Sequence, residues 1–260
     1  MYSIEKKYLD NTFIILGRSG YGKSTTCKTL TGNQNIRISS SKQACTTTVS
    51  YNPGCLHNSS HLPYYFTMVD TPGLDDSEGR DKDIYQQLRE MLQNKNMKVK
   101  GIIIAQDFQT QRFGESEQNI IEKIIQLVPI KDFWKYITIL VTHCFTDKPK
   151  KLPERKKKFK NELKSLFEKK FFFKYFQKYG IMGEFSDINV AFVNFDDEEP
   201  SMDDDGVNEL KEILEKQLNK DPIFQECKIE LKENVSVLDY NDDWSRKTAT
   251  LYSCKVKNIK

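Results

Sequence analysis

Gly17-Arg18-Ser19-Gly20-Tyr21-Gly22-Lys23-Ser24 spells GxxxxGK[ST], and it sits between the apolar run Thr12 to Leu16 and a stretch of helical character from Lys23 to Thr31. A strand before and a helix after is the context in which this motif means a phosphate-binding loop. Its glycines keep side chains out of the way, so that backbone N–H groups can wrap phosphate oxygens. The following helix adds the partial positive charge of its N-terminus. Arg18, Ser19, Gly20, Tyr21, Gly22, Lys23, Ser24 and Thr25 then form the phosphate cradle. Within it Lys23 reaches the β- and γ-phosphates and Ser24 ligates Mg2+. Such a loop needs a strand to deliver it and a helix to leave it, which commits the chain to an α/β fold.

The rest of the chain alternates in the same manner. Thr46 to Tyr51, Tyr64 to Val69, Gly101 to Ala105, Tyr136 to Val141 and Asn189 to Val193 read as strands. Ile84 to Leu92, Glu117 to Val128 and Val207 to Leu218 carry apolar residues at helical spacing, and the lysine-rich stretch 147–179 is helical by propensity after Pro153. Strands alternating with helices imply a parallel sheet, and right-handed crossovers leave a three-layer, doubly wound, mostly parallel arrangement of the P-loop NTPase kind. We expect a nucleotide-binding domain over residues 1–220 and a tail over 221–260 whose pattern is too weak to place.

Composition excludes more than it selects. A net charge of +3 makes no global demand for nucleic acid, and none is expected as a partner. The six cysteines, Cys27, Cys45, Cys55, Cys144, Cys227 and Cys254, show no CxxC spacing, which argues against a zinc ribbon or a secreted disulfide framework. The opening MYSIEKKYLDNTF has no long apolar segment and no window reaches the ~18 apolar residues of a membrane span. A cytoplasmic setting is expected, with the cytosolic face of a membrane as an extension of it.

Asp70-Thr71-Pro72-Gly73-Leu74 follows the YYFTMV strand directly. A carboxylate at that strand end, beside the phosphate loop, is where a partner for Mg2+ and its waters belongs. Gly73 would offer its N–H to the γ-phosphate. The competing reading of Asp70 alone is an ordinary strand-end carboxylate.

With these two motifs, the segment Gln111-Arg112-Phe113-Gly114-Glu115-Ser116-Glu117 resembles the RFTxE-type box of the AIG-type G domain. The chain is therefore similar to the GIMAP, or immune-associated nucleotide-binding, family within the Ras-like GTPases, over Asn11 to Lys220. The resemblance implies GTP or GDP as the bound nucleotide with Mg2+. It implies a switch I threonine at Thr46, with Thr47 and Thr48 as competitors and a plain strand threonine as the alternative. It also implies a switch II over Thr71 to Asp83.

Base recognition departs from the common [NT]KxD pattern. The strand YITILV leads into Thr142-His143-Cys144-Phe145-Thr146-Asp147, where Thr-His resembles the THxD form but Phe145 holds the acidic position and Asp147 comes two residues late. His143, by stacking or bonding, and Asn194 at the end of the NVAFV strand are the expected guanine contacts. The residue after DTPG is Leu74, where Ras-like switches carry a water-orienting glutamine, so intrinsic hydrolysis should be slow. Arg18 and Arg112 are candidate arginine fingers, with exposed salt bridges as the plainer reading. The resemblance further implies a GTP-favoured homodimer or homo-oligomer.

Two other classes compete: a GTP-dependent oligomeric scaffold that scarcely hydrolyses, and an ATP-dependent P-loop enzyme. The basic 147–179 segment is a candidate for peripheral membrane association, as is the tail; the plainer reading is a solvated helix with one aromatic stripe on the core. Cys55, His57 and His61 are a weak metal candidate, because Pro53, Gly54 and Pro63 suggest a loop.

Overall fold

The computed structural model describes residues 6–38, 46–57, 63–74, 81–94, 96–110, 113–144, 149–195 and 205–223. A one-turn helix α1 (Lys6–Leu9) precedes β1 (Thr12–Leu16), α2 (Lys23–Thr31), β2 (Ser50–His57), β3 (Pro63–Asp70), α3 (Asp81–Gln93) and β4 (Val99–Asp107). Then come α4 (Glu115–Leu127), β5 (Ile137–Thr142), α5 (Leu152–Leu166), α6 (Phe173–Tyr179), β6 (Asn189–Phe192) and α7 (Asp205–Leu218). The strands form one six-stranded sheet in the order β2-β3-β1-β4-β5-β6. Every pairing is parallel except β2 with β3. The expected three-layer, mostly parallel fold is what forms.

Central parallel strands are covered on both faces, so they read as unbroken apolar runs. All five residues of β1 are buried, and their alternation splits them between two cores. Phe13 and Ile15 pack with Cys27 and Leu30 of α2 and with Val207, Leu210 and Leu214 of α7. Ile14 and Leu16 pack with Ile84 and Leu88 of α3, Ile120 and Ile124 of α4, and Phe159 and Leu163 of α5. In the core of Phe13 and Ile15, the buried Gln217 of α7 donates from Nε2 to Thr138 Oγ1 of β5 at 3.1 Å. After α7 the chain runs on to Ile223, which is buried and donates its N–H to Val99 at 2.8 Å.

The second strand departs from expectation. Thr46 to Tyr51 was the expected strand, yet β2 runs from Ser50 to His57 and lies antiparallel on the sheet edge. Pro53 and Gly54 look like loop punctuation, but an edge strand can take a proline because its missing N–H need not join a ladder. Gly54 faces Phe66 so closely that a Cβ there would fall 2.7 Å from the ring. Cys55 therefore belongs to a strand and not to the loop expected of it. Among the described residues no group of three or more His, Cys, Asp or Glu side chains could hold a metal; His61 and the side chain of His57 lie outside them.

From Leu152 to Tyr179 the backbone stays helical, α5 passing into α6 through a π-helical turn at Phe167–Phe172. The cause is a buried stripe of period four: Phe159, Leu163, Phe167, Phe171 and Tyr175 are all in the core. An α-helix drifts by about 40° for every four residues, so such a stripe would leave the core after two or three steps. One wider turn brings it back. Trp134 anchors it, with ring contacts to Phe167, Phe171, Phe172 and Tyr175. Among the described residues no helix is long and apolar enough to cross a membrane.

Candidate nucleotide site

β1 lies where the chain crosses from one half of the sheet to the other, with β3 on one side and β4 on the other. Crevices at the carboxyl ends of strands at such a point are where α/β proteins bind ligands. The loop leaving β1 is drawn tightly over β4: Gly17 has φ +147°, and a Cβ on it would fall 2.7 Å from the Ala105 carbonyl oxygen. At the other end Gly22 caps α2 in the left-handed region with φ 72°. Lys23, 6% exposed, folds back to donate from Nζ to the Arg18 carbonyl at 2.8 Å. Its ammonium is thereby held across the mouth of the loop.

Beside the loop three oxygens converge. Ser24 Oγ donates to Asp70 Oδ2 at 2.7 Å and lies 2.9 Å from Thr46 Oγ1, which donates to the same carboxylate oxygen at 3.4 Å. Thr46, not Thr47 or Thr48, is the threonine brought here; the other two are exposed. The second oxygen, Asp70 Oδ1, is buried with no hydrogen-bond partner. Burial pushes the Asp70 carboxyl above its ordinary range, although Ser24, Lys23, Thr46 and the Thr71 N–H all act to lower it. A charge so enclosed, with one oxygen unanswered, suits a hard divalent cation. Ser24, Thr46 and Asp70 are the residues that would hold one.

Gly73 packs directly on the phosphate loop: a Cβ there would lie 2.6 Å from the Ser19 nitrogen. The adjacent Leu74 N–H donates to the Gly17 carbonyl at 3.1 Å, and the Leu74 side chain is 1% exposed, in the core with α3 and α4. Gly73→Ala must therefore push the two motifs apart. Overpacking of this kind costs about 1–3 kcal/mol, so GTP binding should weaken by roughly 5- to 150-fold, with less change for GDP. Parallel titrations of the two nucleotides check it, and an equal loss for both would show that Gly73 does not sense the γ-phosphate.

On the far side of the loop, Thr142 Oγ1 is 3.2 Å from the carbonyl oxygens of both Tyr21 and Gln106, fastening the end of β5 to the phosphate loop. The next residue, His143, has φ 52°, unusual for a side-chain-bearing residue. Two groups, one at the end of β4 and one in the turn after it, hold it there. Gln109 Nε2 donates to the His143 carbonyl at 2.7 Å, and Asp107 Oδ1 lies 3.3 Å from His143 Nδ1. Burial would raise the Asp107 carboxyl, but the bonds from His143 and the Gln109 N–H outweigh it and keep the group below its ordinary range. Cys144 N–H donates to the Val193 carbonyl at 3.3 Å. That bond ties the His143 loop to the segment carrying Asn194, which is exposed.

Asp107 and Gln109 did not stand out in the sequence; their position just past an apolar strand, on the same edge as the phosphate loop, was the available signal. Arg18 is exposed, with its guanidinium 5.9 Å from the Tyr21 ring, in the loop's own turn. Burial, then the charge of Glu117, raises the Tyr21 phenol. Arg112, Phe145, Asp147 and residues 75–80 of the expected switch II lie outside the described residues.

A family model described as the AIG1 family matches residues 11–176. The chain belongs to the AIG1 family. Its AIG1-type G domain is similar in fold to a dimerization-deficient mutant of Toc33 from Arabidopsis thaliana, at 17% identity and TM-score 0.59 over 80% of this chain and 84% of that one. A second likeness, at 17% identity and TM-score 0.61 over 85% and 88% of the chains, is to a structure of the chloroplast translocon components atToc33 and psToc159, for which dimerization is stated to be important for GTPase activity. Era in complex with MgGDPNP and part of 16S ribosomal RNA is a more distant likeness, at 15% identity and TM-score 0.51 over 82% of this chain and 57% of that one. A search of curated proteins returns no match. The AIG1-type G domain is a GTP-binding module with the P-loop GTPase fold.

Proposed function

We propose that this AIG1-type G domain is a magnesium-dependent GTP switch of the GIMAP or immune-associated kind, with slow intrinsic hydrolysis and self-association in the GTP state. The observation that carries it is the meeting of Ser24, Thr46 and Asp70 beside the phosphate loop, with Asp70 Oδ1 buried and unanswered. Mg2+, when bound, would neutralise charge on the phosphates. Residues 18–25 would grip those phosphates by backbone N–H groups and by Lys23. Thr46 and Gly73 would sense the γ-phosphate from opposite sides, so that both segments are held while it is present and released when it leaves.

Slow turnover follows from Leu74. Its side chain is committed to the core and cannot hold a water in line with the γ-phosphate. The dimer-dependent activity stated for the Toc33 pair supports self-association as the remedy. The same leucine supports a second reading, a GTP-dependent scaffold that assembles and hardly hydrolyses, and a single-turnover rate with and without dimerisation separates the two. The described cysteines, Cys27, Cys55 and Cys144, are free thiols, which supports placement in the cytoplasm.

Binding of GTP, GDP and ATP to the purified chain, with and without Mg2+, tests the proposal directly. GTP should win, and Mg2+ should strengthen it in the native chain but hardly in Ser24→Ala. Equal or tighter ATP binding would replace the guanine assignment with an ATP-dependent enzyme. For the base pocket, His143→Ala should weaken GTP by about tenfold while ATP changes little, the loss of one hydrogen bond or stacking contact. Unchanged selectivity in that variant would move guanine recognition elsewhere.

A further inference from the structure

Five large apolar side chains stand exposed among the described residues, and three of them cluster between residues 173 and 182: Phe173 at 65%, Phe176 at 54% and Met182 at 52%. The helix geometry explains why. With Phe171 and Tyr175 turned into the core, the run Phe171-Phe172-Phe173 cannot bury all three rings, and Phe173 and Phe176 face outward. No described element covers them.

The surroundings are strongly basic. Residues 149–180 carry eleven lysines and Arg155 against three glutamates, Glu154, Glu162 and Glu168. Some of these lysines are engaged: Lys174 meets Glu122 at 2.8 Å and Lys170 meets Gln118 at 2.6 Å, both on α4. Others pair loosely within their own helix, Lys158 with Glu162 at 3.9 Å and Lys164 with Glu168 at 3.7 Å, exposed pairs that hold little energy. Lys157, Lys160 and Lys169 are exposed as well.

We propose that the α5–α6 helix is a docking surface for an anionic membrane, with Phe173, Phe176 and Met182 entering the lipid interface and the flanking lysines meeting acidic headgroups. The charge favours lipid over a folded partner: exposed lysines run along the whole helix, from Lys157 to Lys178, and are not focused on one spot beside the exposed rings. Apolar rings beside lysines are what an interfacial helix presents to such a surface.

The patch also leaves the nucleotide free. β1, β4, β5 and β6 run parallel, and the phosphate loop sits at their carboxyl ends. α6 leads back to the start of β6, and Met182 N–H bonds the Lys131 carbonyl ahead of β5, at the amino ends of these strands. Docking is therefore independent of the GTP reading, and the two can fail separately.

The test is co-sedimentation of the full chain with phosphatidylcholine vesicles, with and without phosphatidylserine, across a salt series. GTP affinity is measured on every variant as the control for folding and for the nucleotide site. The native chain should bind only the phosphatidylserine vesicles, and less as salt rises. Phe173→Ser with Phe176→Ser should lower that binding by about tenfold, the effect of losing part of two ring burials. Lys157→Glu with Lys160→Glu and Lys169→Glu should abolish it, and all these variants should keep the native GTP affinity. Absence of binding to acidic vesicles, or equal binding by the double phenylalanine variant, overturns the inference. So does a native chain whose phenylalanine variant keeps vesicle binding but loses self-association, which would make the patch a protein interface.

Discussion

Lys23→Ala lowers the affinity for GTP by at least about 100-fold and for GDP, which has no γ-phosphate to lose a bond from, by roughly 10- to 150-fold, and costs the nucleotide-free chain far less than it costs nucleotide binding. The nucleotide effect follows from what the ammonium does: charge-assisted hydrogen bonds contribute about 1.5–3 kcal/mol each, and Lys23 can make two, to the β- and γ-phosphates. Two such bonds amount to a factor of roughly 100 or more. The small effect on the fold follows from the partner it has now. Nζ donates to the carbonyl of the exposed Arg18, so water can take the place of that donor, while the loss of its positive charge near the buried Asp70 carboxylate accounts for the stability that is lost. Calorimetric binding and a melting curve on the same preparation check both halves. A variant that keeps nucleotide affinity within a factor of ten would show that the loop does not hold phosphates through Lys23, and the switch reading would fall with it.

What could be read in the residues, and what could not, divides along physical lines. The helix Lys23–Thr31 was legible to the residue, because a motif with a fixed strand–turn–helix context marks its start and Gly32 its end. The strands other than β2 were legible as apolar runs: β1 to the residue, β3 and β4 short by one or two residues at each end, β5 set one residue early and β6 drawn one residue too long. The edge strand was not, since Pro53 and Gly54 carry turn chemistry that only the neighbouring Phe66 and the open sheet edge make compatible with a strand. Thr46 could not be told from Thr47 and Thr48 by sequence, because the choice depends on how the chain approaches Ser24. The π-helical turn was hidden in plain spacing: five buried positions four apart are incompatible with a uniform α-helix. His143 and Asn194 were singled out from the strands they follow, but the groups that orient His143 come from the end of β4 and the turn after it. Asp107 and Gln109 are more than thirty residues from it in sequence.

Asp70→Asn should move stability and function in opposite directions. In the nucleotide-free chain the carboxylate is buried and one of its oxygens has no partner. Its affinity for a proton is raised by that burial, with the bonds from Ser24 and Thr46 only partly offsetting it. A folded chain that binds this proton more tightly than the unfolded chain loses stability as pH rises from the ordinary carboxylate value through the raised one. Above that window the charged Asp70 is a standing penalty. Asparagine has nearly the same shape, can still accept from Ser24 and Thr46, and carries no charge. The variant should therefore melt higher than the native chain at neutral pH without nucleotide, by about 2–4 °C for each kcal/mol relieved, and should lack the native fall in stability across the window. With Mg2+ and GTP the order should reverse. The native chain gains the full linkage of a tightly bound ligand, roughly 2.7 kcal/mol at a hundredfold excess over Kd. The variant, without a charge for the cation, should gain far less and lose the dependence of GTP affinity on Mg2+. Melting curves over a pH series, with and without Mg2+ and GTP, read all of this in one experiment. A destabilised nucleotide-free variant would mean that the charge at position 70 is satisfied by the protein alone, and a variant with native Mg2+ dependence would remove Asp70 from the cation site.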